Sequence, residues 1–265
     1  WVGYYLPAPC HTGTTCMGTR QRLADMGWGM AFIYVGQQTW SKSPTGYETH
    51  YKRVRRTTYV NKRVRVYRTV NGKRVRRYVT RRVPVRRTVR VPVKVRINPA
   101  TRHIHDCNAQ LVSSTRGRME AADAIRRTLA EGFPRGTVMF LDVEYMRSVP
   151  QKMRDYYRAW TEAVLADGRY RPGYYVHDRN AATIYRDVAA EYAKAGVTDE
   201  PPFWIAGGDD FSPDESAPTD VGHQFAHMWQ GELDVVRRWR GHALALDVNV
   251  ASVPDPSHRY VVATD

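Results

Sequence analysis

Short apolar segments alternate with helix-like segments along most of the chain. The apolar segments are almost continuously hydrophobic, which is typical of buried parallel strands. They occupy residues 2–6, 30–35, 138–143, 173–176, 203–206, 224–229 and 243–248. Helical patterns fall at residues 19–26, 114–131, 150–166, 180–195 and 232–239. This alternation predicts an α/β fold with a parallel sheet, and seven strands favour a TIM-like (β/α) barrel over a small open sheet.

Several helix ends carry their own signals. Ser113 or Ser114 can cap the second helix, and Pro150 suits the first turn of the third. Glycines follow the last helical residues at positions 132, 168 and 196, where a left-handed residue commonly ends a helix.

Residues 50–97 follow a different pattern. Val, Tyr or Thr alternates with Arg or Lys, a period of two that indicates strands, and Asn71-Gly72 is a strong hairpin turn signal. Pro84 and Pro92 confine their stretch to an edge strand or a strand break. We predict a basic β-hairpin module of one or two hairpins at 50–97, inserted into a barrel domain formed by 1–49 and 98–265. We expect Arg and Lys on one side of this arm and Val and Tyr on the other.

The formal net charge of +15 comes from this arm. Nineteen Lys and Arg residues and no acidic residue lie between Lys52 and Arg96, whereas the rest of the chain holds 22 basic and 26 acidic residues. Any argument for binding a polyanion therefore applies to the arm alone.

The cysteines and the hydropathy bear on the compartment. Three cysteines (Cys10, Cys16 and Cys107) fit one disulfide plus a free thiol, or three thiols, and their spacing does not select a pair. No apolar run of about 18 residues is present, so no membrane span is expected. The chain starts at Trp1 without a signal-peptide pattern, which neither shows nor excludes secretion.

The sharpest candidate for chemistry is the segment Phe140-Leu141-Asp142-Val143-Glu144-Tyr145. Asp142 and Glu144 are two positions apart and therefore point to the same side of a strand. They lie at its carboxyl end, where parallel barrels place their chemistry. Two carboxylates this close repel each other as anions, so one of them tends to keep a proton. A general acid for glycosidic cleavage requires such a proton. The alternative is a pair of carboxylates that are solvated or held in salt bridges.

Other constellations are weaker. His103, His105, His223 and His227 are able to bind metal, but no zinc-type spacing appears, and the pair Gly207-Gly208 lacks the pattern of a phosphate-binding loop. We therefore expect no metal site and no cofactor. His177-Asp178 is either a proton-transfer pair or a surface pair.

Five short motifs occur in an order that resembles a known family. Asp142-Val143-Glu144 is followed by residues 171–176, 203–206, Met228-Trp229-Gln230 and Leu246-Asp247-Val248-Asn249. This order resembles the family 25 glycoside hydrolases, the lysozyme-like muramidases. With residues 27–38 and 121–124 included, it is closer to the related glycoside-hydrolase-like domain known as domain of unknown function 1906.

The resemblance implies an activity and a set of site residues. Glu144 matches the muramidase acid, Asp142 its strand neighbour, and Asp247 the late Asp of an Asp-x-Asn strand; the substrate's acetamido group is able to assist such enzymes. The implied target is a cell-wall glycan such as peptidoglycan, and the implied location is extracellular or at the cell envelope. Candidate sugar-binding residues are Tyr145, Tyr175, Trp204, Asp209, Trp229, Gln230 and Asn249, although core packing explains each aromatic ring equally well.

One departure from the family pattern matters. The muramidases carry an acid in the first strand, and the matching segment here, residues 2–7, has none. Asp178, Asp209 and Asp210, each just past a predicted strand, are the candidates to replace it. The alternative function is therefore a non-catalytic structural or carbohydrate-binding subunit that self-assembles or binds polyanions through its arm.

The arm has four possible roles: tethering to an anionic cell-wall polymer, nucleic-acid binding, homo-oligomer assembly, or none. We favour polymer or subunit contacts over nucleic acid because the host domain is carbohydrate-directed. The predicted contact residues are Arg63, Arg65, Arg74, Arg76, Arg86 and Arg90.

Overall fold

A computed structural model describes residues 1–40, 47–96 and 106–259. The chain divides into two compact units, one formed by Trp1–Ser43 with Thr101–Asp265 and the other by Pro44–Ala100. Because the second unit is inserted within the first, each is described separately.

The larger unit is built from seven strands and four α-helices. The strands are β1 (Val2–Tyr5), β2 (Met30–Val35), β5 (Val138–Val143), β6 (Arg171–His177), β7 (Phe203–Ala206), β8 (Ala226–Trp239) and β9 (His242–Ala251). The helices are α1 (Arg20–Asp25), α2 (Ser114–Ala130), α3 (Gln151–Asp167) and α4 (Asp178–Lys194). Short 3₁₀ turns lie at Pro218–Val221 and Pro256–His258.

The seven strands form one curled sheet in the order β1-β2-β5-β6-β7-β8-β9. Each neighbouring pair from β1 to β8 is parallel, and β9 returns antiparallel to β8. The mixed α/β fold is confirmed, but the described strands form a half-barrel with β1 and β9 at its two edges. The predicted closed barrel is not formed by the described residues, because the antiparallel β9 cannot continue the parallel order round to β1.

The outer face of the sheet packs against the helices. The Tyr34 hydroxyl donates to Asp123 of α2 (3.1 Å), and the Tyr174 hydroxyl bonds to Thr161 of α3. Tyr4, on the same face of β1, donates to Glu131 and stacks on Phe32. Because these hydroxyls reach polar groups at the buried interface, tyrosines replace aliphatic residues there without leaving unpaired donors.

The close approach of α2 and α3 depends on a glycine. A Cβ atom at Gly117 would overlap the carbonyl oxygen of Tyr156. The Tyr156 hydroxyl in turn donates to Glu120 (2.5 Å), which also accepts from Arg116 (2.6 Å) and Gln37 (2.9 Å). Burial raises the pKa of Glu120 despite these partners. A buried carboxylate with three donors therefore joins both helices to the loop after β2.

The helix-end signals are largely confirmed. The Ser113 side chain accepts from the Arg116 amide, and Gly168 ends α3 in the left-handed conformation. Pro150 is the N-cap of α3 rather than a residue of its first turn.

The helix predicted at 232–239 is wrong, because these residues continue β8. The hairpin turn at Arg240-Gly241 has positive φ at both residues (47° and 83°), the geometry of a tight two-residue β-turn, and it joins β8 to β9. Asp234 has a positive φ of 53° and the register shifts between Glu232 and Val235, so this eight-residue segment lacks the regular period of two that identifies a strand.

One disulfide joins Cys10 to Cys107, and Cys16 is a half-buried free thiol. Of the two possibilities left by the odd count, the disulfide plus one thiol is therefore present. It connects the loop after β1 to the segment before α2, across a sequence separation of 97 residues.

The inserted unit is a single hairpin of two 24-residue strands, β3 (Tyr47–Val70) and β4 (Lys73–Arg96). Its turn is Asn71-Gly72, with φ of 51° and 74°, as the turn signal predicted. The register is unbroken from Tyr47 opposite Arg96 to Val70 opposite Lys73, so Pro84 and Pro92 do not interrupt β4. In a two-stranded sheet both strands are edge strands, and edge strands tolerate proline.

The expected division of residue types between the two faces of the arm is wrong. The tyrosines share a face with arginines, and the valines share the other face with further Lys and Arg residues. The alternation has exceptions such as Arg55-Arg56 and Arg76-Arg77, which place one cation on each side.

Candidate functional site

Polar and aromatic side chains converge where the parallel strands end. The register places Asp142 of β5 opposite Tyr175 of β6, and Tyr175 opposite Trp204 of β7. The rings of Tyr175 and Trp204 meet edge to face with centroids 4.9 Å apart. Since these positions lie on the inner face of the curled sheet, they border its concave side rather than the helices.

Asp142 is a buried carboxyl group with a raised pKa. It is 6% exposed, and its Oδ1 has no hydrogen-bond partner among the described residues. Burial raises the pKa of Asp142 well above its ordinary value, and the nearby charge of Glu144 raises it further. Asp142 therefore holds a proton at pH values where an exposed aspartate is ionised.

Glu144 follows the end of β5 and is half-buried. Among the residues that the structure describes, none forms an ion pair with its carboxylate. Its position is set by the backbone: the Glu144 amide donates to Gln38 Oε1 (3.1 Å), and Gln38 Nε2 donates to the Asp142 carbonyl (2.9 Å). The buried Gln38 amide thus holds both carboxylate-bearing residues at one strand end, a role that the sequence did not reveal.

Tyr5 reaches the carboxylates from β1, the strand that lacks the expected acid. Burial raises the pKa of Tyr5 to about 12, with further contributions from the charges of Asp142, Asp247 and Glu144. Burial raises the pKa of Tyr175 as well, with the same three carboxylates contributing. Two protonated phenols therefore stand within electrostatic reach of all three predicted acids.

Asp247 belongs to a hydrogen-bond network rather than to the carboxylate pair. It accepts from Gln230 Nε2 (2.9 Å) and from the Asp234 amide (2.9 Å), while Gln230 Oε1 accepts from the Tyr175 hydroxyl (2.5 Å). The side chains of Tyr175, Gln230 and Asp247 thereby link β6, β8 and β9.

Asn249 extends this network to the aromatic residues. Its side-chain amide donates to the Asp247 carbonyl (2.9 Å), and its Oδ1 accepts from the Trp204 indole N–H (2.9 Å). Trp204 also meets the ring of Trp1 edge to face, with centroids 5.4 Å apart. These bonds fix the orientation of the Trp204 ring.

A cleft of about 800 Å³ lies between the two edges of the half-barrel. It is large enough for a drug-sized or oligosaccharide-sized ligand. Trp1 and Trp28, which the sequence analysis did not single out, contribute indole rings to it, and the Trp28 side chain is exposed. The lining residues are Trp1, Val2, Gly3, Tyr5, Leu23, Trp28, Trp204, Gln230, Ala245, Leu246, Asp247, Val248 and Asn249.

The remaining predicted site residues lie elsewhere. Trp229 is buried, donates to the Gly207 carbonyl (2.6 Å) and packs against Phe211, so its ring offers no face to a ligand. Tyr145 is exposed and meets His177 edge to face. Asp209 and Asp210 are exposed in the loop after β7.

His177 and Asp178 are not paired with each other. The His177 Nδ1 accepts from the Arg179 amide at the start of α4, and Asp178 contacts His223 Nε2 at 2.8 Å. The described residues contain no group of three or more His, Cys, Asp or Glu side chains that could hold a metal. His103 and His105 lie outside the described residues.

The chain is a member of a class of glycoside-hydrolase-like domains. The family model for the Rv2525c-like glycoside hydrolase-like domain matches residues 1–251, and the chain belongs to this family. Membership supports a glycan-related function. The relation to the family 25 muramidases stays a prediction.

Two solved structures are similar in part. One is an uncharacterized B. stearothermophilus protein, 21% identical, covering 53% of this chain and 64% of its own, with a TM-score of 0.39. The other is the Mycobacterium tuberculosis Tat-secreted protein Rv2525c in complex with L-tartrate, 20% identical, covering 56% of this chain and 62% of its own, with a TM-score of 0.34. The matched region is therefore less than two thirds of either structure. The search of curated proteins found no significant match.

Proposed function

We propose that the chain binds a cell-wall glycan of the peptidoglycan type in the cleft between β1 and β9 and cleaves it by carboxylate acid catalysis. Asp142 and Glu144 are not among the residues that line this cleft, but Tyr5, which does line it, lies within electrostatic reach of both. The observation that carries this proposal is the Asp142–Glu144 pair: Asp142 is buried and its pKa is raised, and Glu144 is half-buried with no ion-pair partner among the described residues. A glycosidase needs one carboxyl group that keeps its proton near neutral pH.

The two carboxyl groups take different roles. Burial and the charge of Glu144 raise the pKa of Asp142, so Asp142 keeps its proton at pH values where an exposed aspartate has lost it. Asp142 stores this proton in the free protein. Glu144, the more accessible member, receives it and donates it to the glycosidic oxygen as the bond to the anomeric carbon breaks. Water then supplies a hydroxyl group to that carbon and returns a proton to the pair.

The cleft suits a sugar chain for a second reason. Trp1 and Trp28 contribute indole rings beside the carboxylate of Asp247, whereas Trp204 and Gln230 line the cleft with only 3% and 5% of their surface exposed. Apolar ring faces next to hydrogen-bonding groups match the two kinds of surface that a hexose presents. The Tyr175 hydroxyl donates to Gln230 Oε1, and the Tyr5 ring lines the cleft, so both phenols would help to orient a bound sugar.

A second candidate function is glycan binding without cleavage. It is favoured by Tyr5, because a phenol with a pKa of about 12 cannot replace an ionised first-strand carboxylate at neutral pH. It is also favoured by Asp247, because both of its carboxylate oxygens already accept hydrogen bonds.

Glycan release separates these candidates. Purified peptidoglycan is incubated with the wild-type protein, with Glu144→Gln and with Glu215→Gln, which changes an exposed glutamate of the loop before β8, and new reducing ends are counted. Cleavage predicts that Glu144→Gln alone loses about 10²- to 10⁴-fold in rate. Binding without release by all three proteins would support the second candidate, and absence of both would refute the glycan proposal.

A further proposal concerns location. The relative Rv2525c is described as Tat-secreted, and the Cys10–Cys107 disulfide suits an oxidising compartment, so we propose that this chain acts outside the cytoplasm. Among the described residues, no helix is long and apolar enough to cross a membrane.

A further inference from the structure

The arm has two chemically distinct faces. Because its register is unbroken, alternate residues of β3 and their partners on β4 share one face. The Tyr/Arg face comprises the odd-numbered residues 51–69 and the even-numbered residues 74–92. The valine face comprises the even-numbered residues 52–70 and the odd-numbered residues 73–91.

The cations differ between these faces. The valine face mixes three lysines with five arginines, and several of its valines are half-buried. The Tyr/Arg face holds arginines only, and every one of its residues is exposed. Its arginines are Arg53, Arg55, Arg63, Arg65, Arg74, Arg76, Arg82, Arg86 and Arg90. A guanidinium offers a planar fork of donors that matches phosphate oxygens in pairs, which an ammonium group does not.

Tyrosines hold several of these arginines in place. The guanidinium of Arg82 lies 5.2 Å from the Tyr59 ring, and that of Arg74 lies 4.7 Å from the Tyr67 ring. Arg63 and Arg76 lie 5.1 and 5.9 Å from the Tyr78 ring. Cation–π contact restricts the arginine rotamers while leaving their N–H groups free for a ligand.

The Tyr/Arg face also has a repeat along its length. Tyr51 and Tyr59 are eight residues apart, and each stands opposite a proline, Pro92 and Pro84. Tyr67 follows after a further eight residues. Eight residues of strand span about 27 Å. An extended, repetitive ligand therefore meets similar groups at successive points.

We infer that the Tyr/Arg face binds a linear polyphosphate or phosphodiester chain through its phosphate groups. Charge complementarity carries the choice of partner, since no acidic residue lies between Lys52 and Arg96 and a second copy of the arm would meet like charge. Pro84 and Pro92 also remove two N–H donors from β4, which interrupts the backbone edge that another strand would need.

Arginines beside the tyrosine rings favour phosphate recognition over base stacking. A single-stranded nucleic acid binds on aromatic faces that are open to its bases. Here an arginine lies over each of the rings of Tyr59, Tyr67 and Tyr78, which keep about half of their surface exposed, so a ligand meets a guanidinium group at each of these rings. The partner is recognised by backbone charge, whether it is a wall polymer or free polyphosphate.

The test compares two triple variants of the full chain with equal loss of charge. Arg63→Gln/Arg65→Gln/Arg86→Gln alters the Tyr/Arg face, and Arg56→Gln/Arg77→Gln/Arg87→Gln alters the valine face. The affinity for inorganic polyphosphate is measured from about 50 to 200 mM salt, where each phosphate contact contributes about 0.7 to 0.9 to the slope of log affinity against log salt. We expect the slope to fall by about 2 to 3 in the first variant and by less than about 1 in the second.

A charge-neutral variant tests the role of the rings. Tyr59→Leu/Tyr67→Leu keeps every arginine, and loss of the cation–π contacts should weaken polyphosphate binding about two- to fivefold. Unchanged affinity in this variant would contradict the inference that the tyrosine rings hold the arginine side chains in place. Circular dichroism confirms that each variant keeps its strands.

Other outcomes would overturn the assignment. Equal losses of polyphosphate affinity in the two triple variants would show that the two faces of the arm do not differ in phosphate binding. Tighter binding of oligo-deoxythymidine than of polyphosphate at matched charge would assign the face to nucleic acid, and equal binding of poly-glutamate would remove the preference for phosphate. A dimer that forms without polyanion and dissociates in the Tyr/Arg variant would assign the face to a second copy of the chain. Glycan release by the triple variants is measured in parallel. If it stays at the wild-type level, a failure of the phosphate-binding inference is distinguished from a failure of the glycan proposal.

Discussion

Asp142 should make the protein less stable as the pH rises from about 4. Its pKa in the folded state is raised, first by burial and then by the charge of Glu144, whereas in the unfolded chain it is close to the usual value near 3.9. Between these two pKa values the folded state keeps a proton that the unfolded state has released. The free energy of unfolding therefore falls with rising pH in this window and becomes independent of Asp142 above the folded pKa.

Asp142→Asn removes this dependence because an amide does not titrate. One proton corresponds to about 1.4 kcal/mol per pH unit, so two pH units inside the window correspond to about 2.7 kcal/mol. The difference in unfolding free energy, variant minus wild type, should rise with pH throughout the window between the unfolded and folded pKa values of Asp142, and by at most this amount over two pH units. Other titrating groups, including Glu120, are present in both proteins and cancel in the difference.

Urea denaturation at half-unit pH intervals measures this effect, with the slope against urea concentration checked for constancy. Glu144→Gln is the matched control: it removes the second cause of the raised pKa but leaves the burial, so its pH dependence should persist over a narrower window. Parallel profiles for wild type and Asp142→Asn would refute the conclusion that Asp142 holds a proton.

Three further outcomes are expected. Cys10→Ser should lower the free energy of unfolding by about 2–4 kcal/mol in non-reducing denaturation, because the disulfide closes a long loop, whereas Cys16→Ser should stay within about 1 kcal/mol and a similar loss in both would contradict this. Gly117→Ala should cost about 1–3 kcal/mol by overlap with the Tyr156 carbonyl, and a thermal midpoint equal to that of wild type would show that the helices can separate freely. Gln38→Ala should reduce glycan turnover more than glycan affinity because it frees the backbone at Glu144, and unchanged turnover would contradict a positioning role.

Local chemistry explains which parts of the fold could be predicted from the sequence. Buried strands and amphipathic helices have distinct periods, and Asn71-Gly72 adopts the positive φ values that a two-residue hairpin turn needs. Ser113 caps α2 through a bond to a residue only three positions away. These signals need no knowledge of the rest of the chain.

Closure of the sheet could not be predicted in the same way. Whether β9 continues the parallel order or turns back depends on Arg240-Gly241 and on tertiary pairing, and the short segment 232–239 lacks the regular period of two that identifies a strand. The faces of the arm were likewise mispredicted, because doubled cations such as Arg55-Arg56 shift charge to both sides while the overall impression of alternation persists.

The candidate site was partly visible in the sequence. Asp142 and Glu144 share one side of a strand end, which the spacing alone implies. Tyr5 and Gln38 were missed, because a neutral residue is recognised as part of a site only when its neighbours are known. One signal for Tyr5 was available. It lies in the first-strand segment in which the muramidases carry an acid and this chain carries none.

A structure of Glu144→Gln with a β-1,4-linked oligosaccharide of N-acetylated hexosamines tests the central claim most directly. We predict that the sugar chain occupies the cleft between β1 and β9 with a glycosidic oxygen within hydrogen-bond distance of residue 144. A chain bound elsewhere, or one that lies in the cleft with its glycosidic oxygens remote from residues 142 and 144, would contradict the account.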